Sequence, residues 1–113
     1  MKESFEMGER VKQQLPFLQL LTISSQKQLV ALLDTISSDQ VDAVCAVFKN
    51  IRLKNVDVNA REIADLLKHK KDILILTNKE ASNLERTELI KLNASLIVKI
   101  LKSTIEQVTS ILE

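Results

Sequence analysis

The chain has 113 residues, 45% of them hydrophobic, with sixteen basic and fifteen acidic side chains and a formal net charge of +1. That balance fits a single globular domain long enough to bury its own core, and it excludes a disordered chain. Residues 1–58 carry seven charges of each sign and residues 59–113 carry nine basic and eight acidic ones, so the lopsided charge of a nucleic-acid binder is missing.

The chain opens on Met1-Lys2-Glu3-Ser4, a polar start without the apolar core of a signal peptide. Residues 1–15 read as a weakly helical leader, with Phe5, Met7 and Val11 among charges and Gly8 lowering the helix propensity. Pro16 bounds the leader, because proline disfavours helical geometry at Leu15 and suits the first turn of a new helix. From there residues 16–113 read as a single helical domain. Phe17, Leu18, Leu20 and Leu21 form its first short apolar helix.

Ser24 or Ser25 is the expected N-cap of the next helix, whose Leu29, Leu32, Leu33 and Ile36 recur at helical spacing. Ser38 is the expected cap of the helix after it, with Asp39 favourable in the first turn. Val41, Val44, Cys45, Val47, Phe48 and Ile51 give that helix a broad apolar face, and the two helices form an αα-hairpin. Cys45 is the chain's sole cysteine. It sits in an apolar run and reads as a buried, inert thiol in a reducing, intracellular setting.

Residues 53–58 break the pattern and read as a short extended connection. Asn59 with Glu62 resembles a capping box for a helix carrying Ile63, Leu66, Leu67, Ile73 and Leu74 to about Thr77. Ser82 with Glu85 is a second capping box. Beyond it an apolar stripe runs to the end of the chain, with a weak point at Asn93-Ala94-Ser95.

Candidate sites are few. One Gly leaves no phosphate-cradling loop, and one His with one Cys leaves no metal or nucleophile pair. No enzyme, cofactor or metal is expected. Lys68-His69-Lys70-Lys71, with Arg61 nearby, is the one basic cluster. It reads first as a solvated helix face, since Glu62, Asp65 and Asp72 largely neutralise it, and second as a contact for phosphate or an acidic partner. The C-terminal stripe covers more than half of its helix. Leu96, Ile97, Ile100, Leu101, Ile105, Val108, Ile111 and Leu112 are therefore the expected partner-binding surface, for another protein or a second copy in a homo-oligomer. No apolar run reaches the length of a membrane span.

Some of this order is familiar. Lys27-Gln28-Leu29, Ala31-Leu32-Leu33, Gln40-Val41, Ala43-Val44-Cys45, Asn50-Ile51, Asn55-Val56, Glu62 and Leu66 with His69-Lys70-Lys71 follow one another, and Lys79, Ser82, Arg86 and Leu89-Ile90 come after them. Over about residues 18–112 the chain resembles small uncharacterised proteins of Polinton/Maverick-type elements and their adintovirus relatives. Those proteins are strongly basic, whereas this chain is nearly neutral. They often carry Gly-Gly where this chain has Leu92-Asn93-Ala94-Ser95. The resemblance implies a small, non-enzymatic protein of a virus-like element, associated with the virion.

Taken together, the expectation is an all-α compact bundle of four to six short helices that acts by protein–protein interaction. The alternative is a nucleic-acid-associated accessory protein using the cluster at 68–71.

Overall fold

The computed structural model describes residues 5–113, so the Met1–Ser4 start lies outside the described residues. The described residues are all-helical: α1 Gly8–Gln13, α2 Leu15–Ile23, α3 Gln26–Asp34, α4 Ser38–Arg52, α5 Ala60–Lys68, α6 Lys70–Leu76, α7 Asn83–Leu92 and α8 Ala94–Leu112. Their radius of gyration is 12.9 Å, close to the roughly 13 Å of a compact domain this size.

Eight helices replace the expected four to six because single residues divide the longer segments. Asn93 separates α7 from α8 at the weak point. Its side-chain amide donates to the Leu89 carbonyl at 2.9 Å and to Asp72 Oδ2 at 3.0 Å, local bonding that competes with a continuous helix. His69 divides the helix expected from Ile63 to Thr77, with φ −111° and ψ 24°. Its N–H turns to the Leu66 carbonyl at 3.1 Å. The break re-aims the chain so that Ile73 and Leu76 on α6 enter the core, a tertiary requirement that overrides local propensity.

The caps follow the chemistry expected of them, with two corrections. Ser25 caps α3, and Asn59 caps α5, each in a full capping box. The cap of α4 is Ser37 and not Ser38: its hydroxyl accepts from Gln40 N–H, and Gln40 returns the bond to Ser37 N–H at 2.8 Å. Ser82 accepts from Glu85 N–H at 3.1 Å, but only this half of the second expected box forms.

α4 and α8 build the core. Val41, Val44, Ala46, Val47 and Phe48 of α4 are buried, and so are Ile97, Ile100, Leu101 and Val108 of α8. α8 lies mainly against α2 and also touches α1 and α7, while α4 is flanked by α1 and α7. In the segment from Phe5 to Leu15, α1 packs on α4 and α8, and its Val11 is fully buried. Gly8 suits the close approach there, since a Cβ on it would meet Leu112 Cδ2 at 3.3 Å.

A buried asparagine ties three segments together. Asn50 Oδ1 accepts from Glu6 N–H at 2.8 Å and from Asn55 Nδ2 at 2.9 Å. Its own amide donates to the carbonyls of Glu6 at 2.9 Å and Ala46 at 2.7 Å. The chain ahead of α1, the body of α4 and the connection after α4 thus converge on one side chain, and its donors and acceptor are satisfied as burial demands.

Candidate functional site

The α4–α5 connection begins with a Schellman motif. Lys54 N–H donates to the Ile51 carbonyl at 3.1 Å and Asn55 N–H to the Asn50 carbonyl at 2.9 Å, which satisfies two orphan carbonyls at the end of α4. The motif needs a left-handed residue, and Lys54 supplies it at φ 64°. The chain then runs on through Val56 and Val58 to the Asn59 cap, where Glu62 Oε1 accepts from Asn59 N–H at 3.0 Å and Asn59 Oδ1 accepts from Glu62 N–H at 2.8 Å.

These constraints hold α5 at a distance from the core. Its main packing is on α6, and its far end is tied to α8 by Lys99 Nζ–Asp65 Oδ2 at 2.6 Å. The hydrogen bond from Lys99 holds the Asp65 carboxyl below the usual carboxylate value. Between α5 and the end of α4 lies an apolar groove of about 470 Å³. Phe48 and Ile51 form its α4 wall, Val56 and Val58 one end, and Ile63, Leu66, Leu67, Ile73 and Leu74 the α5–α6 wall. Arg52, Lys54 and Lys70 bring positive charge to its lining, against Asp57 alone of opposite sign.

Three of the wall residues are open to water: Ile63 is 47% exposed, Leu67 63% and Leu74 42%. Leu66 is half-buried. Leu66 and Leu67 fit a core stripe by their spacing, yet Leu67 is among the most exposed aliphatic side chains of the described residues. The sequence carries one signal for this arrangement: apolar residues segregate to one side of a nine-residue helix that follows an apolar connection.

The structure places the expected partner surface of the C-terminal helix largely against the chain's own helices. Ile97, Ile100, Leu101 and Val108 are buried, and Leu96, Ile105, Ile111 and Leu112 are partly buried against the core. The stripe is wide because α2, α1 and α7 approach α8 from several sides. The chain's own helices bury four of these eight residues and part of the other four.

The basic cluster is split by the break at His69. Arg61 and Lys68 belong to α5, and Lys70 and Lys71 open α6. All five side chains are exposed, and none forms an ion pair among the described residues. Lys70 alone of them lines the groove.

Cys45 is buried, and that desolvation pushes its thiol up to about 12, so it stays protonated and unreactive at neutral pH. Beside it, Asp42 binds Arg10 at 2.8 Å and Arg86 at 3.5 Å, which links α1, α4 and α7. Arg86 also donates to the Asn78 carbonyl at 2.6 Å. No group of three His, Cys, Asp or Glu side chains among the described residues could hold a metal ion, and none of their helices is long and apolar enough to cross a membrane. No family model, curated protein or solved structure matches the chain.

Proposed function

We propose that the chain is a non-enzymatic interaction module of a virus-like element, and that it acts by taking an apolar segment of a partner protein into the α4–α6 groove. The observation that carries this reading is the wall formed by Ile63, Leu67 and Leu74, three large aliphatic side chains left in water beside an open apolar cavity. Fully burying such a side chain is worth about 1.5–3 kcal/mol, so a partner that covers all three gains several kcal/mol. Apolar walls joined to a few charged groups are the ordinary make-up of a binding groove. The virus-like origin rests on the resemblance over residues 18–112.

The test is binding of anilinonaphthalene sulfonate, an apolar dye with one negative charge. Its fluorescence should rise on the native protein and fall back in Leu67→Asp while the helical circular dichroism is kept. An unchanged dye signal in a folded Leu67→Asp variant would remove the groove reading.

The second reading, a nucleic-acid-associated accessory protein, is favoured by one observation: Arg61, Lys68, Lys70 and Lys71 are exposed and free of ion pairs among the described residues. Phosphate contacts release counterions, so binding to duplex DNA would weaken steeply with salt and vanish when these residues are neutralised.

A further inference from the structure

We propose that the occupant of the groove is an amphipathic helix of a partner protein whose flank is acidic. The inference rests on the docking reading above and adds the partner's chemistry.

Charge is the first argument. Arg52, Lys54 and Lys70 line the groove, and none of them forms an ion pair among the described residues. Arg52 donates to the Thr77 hydroxyl at 2.6 Å, a neutral partner that leaves its charge uncompensated. Asp57 is the one acid in the lining, against three cations, and the other nearby acids are engaged elsewhere. Glu62 is used in the α5 cap, Asp65 binds Lys99, and Asp72 accepts from Asn93. The groove therefore offers an apolar floor under a net positive rim, the complement of apolar and acidic groups side by side.

Lys54 is the second argument. It occupies the left-handed position of the Schellman motif, where glycine carries no steric penalty and a side chain does. A cation at a strained position on the rim of a groove points to a use for the cation.

The walls choose a helix. Ile63, Leu66 and Leu67 stand at i, i+3 and i+4 on α5, a ridge of the kind that interdigitates with the grooves of another helix. A second copy of this chain docked about a two-fold axis would set like-charged rims against each other.

The test is selection of helical peptides of about 18 residues from a displayed amphipathic library against the whole protein. The expected winners carry Glu or Asp beside their apolar stripe. Their Kd should rise about fivefold when Lys54→Gln and Lys70→Gln are combined, as loss of two exposed charge contacts implies, and added salt should narrow that difference. Arg52 is left in place because of its bond to Thr77. Leu67→Asp, and independently Leu74→Asp, should abolish binding in proteins that keep their helical signal.

Winners without acidic bias, or indifferent to both lysine changes, would overturn this proposal and leave the docking reading standing. Winners indifferent to Leu67→Asp and Leu74→Asp would overturn both. No winner sensitive to those changes, with oleate displacing the dye at one equivalent, would make the occupant a lipid. A dimer in sedimentation equilibrium that Leu67→Asp dissolves would make it a second copy. Either result overturns the proposal.

Discussion

Asn50 joins the chain ahead of α1, the body of α4 and the connection after α4, receiving two donors on its Oδ1 and giving its amide to two carbonyls. Replacing it by Ala leaves buried partners unsatisfied, each a cost of about 1–3 kcal/mol. Asn50→Ala should therefore lose about 2–4 kcal/mol in denaturant unfolding, and amide exchange around Glu6 should speed up first. Lys54 behaves in the opposite way. Lys54→Gly should raise stability by about 1 kcal/mol by removing the left-handed strain, while weakening an acidic ligand. Cys45 gives a pH signature. Its thiol is held from 9.0 up to about 12 by burial, so the folded chain keeps a proton that the unfolded chain releases. The stabilisation is complete below pH 9 and is lost as pH rises towards 12. Alkaline unfolding of Cys45→Ala should lack that part of the slope. Neither the convergence on Asn50 nor the strain at Lys54 could be read from the sequence. The first needs a partner 44 positions away, and the second needs a known φ.

The helices show where sequence patterns inform and where they stop. Caps are local chemistry, so Asn59 and Ser82, and Ser25 as one of two neighbouring serines, were legible from a hydroxyl or amide before a polar first turn. Ser37 and Ser38 are neighbours of the same type, and only Gln40 three residues after Ser37 separates them. The break at His69 has no Gly or Pro to announce it, because packing of α6 demands it. How far the faces of α5 and α8 are covered was hidden for a related reason. A stripe records that a side of a helix avoids water, not which surface covers it. α8 is longer and its stripe wider, yet three helices of the chain close over it, while α5 rests mainly on α6. Stability measurements separate the two. Leu101→Ala, at a fully buried site, should cost about 2–5 kcal/mol. Leu67→Ala should stay within about 0.5 kcal/mol of the native protein. Equal costs would mean that the faces are assigned wrongly.

At the scale of the whole molecule, the all-α class followed from composition and period, since a chain with one Gly, one Pro and such steady 3–4 spacing has little other choice. The extent of the body did not follow. Residues 5–15 carry only four large apolar side chains, yet Val11 reaches the centre and the Asn50 bonds to Glu6 fix the entry of the chain. Among the described residues, the groove beside α5 combines an open apolar cavity with exposed large aliphatic side chains, and the proposed docking is assigned to it. Backbone amide shifts recorded while anilinonaphthalene sulfonate is titrated into the labelled protein test that claim most directly. The amides of Phe48, Ile51, Val56, Ile63, Leu67 and Leu74 should move together with one affinity, and those of Leu96–Leu112 should stay in place. Shifts concentrated along α8, with residues 48–74 unmoved, would contradict it.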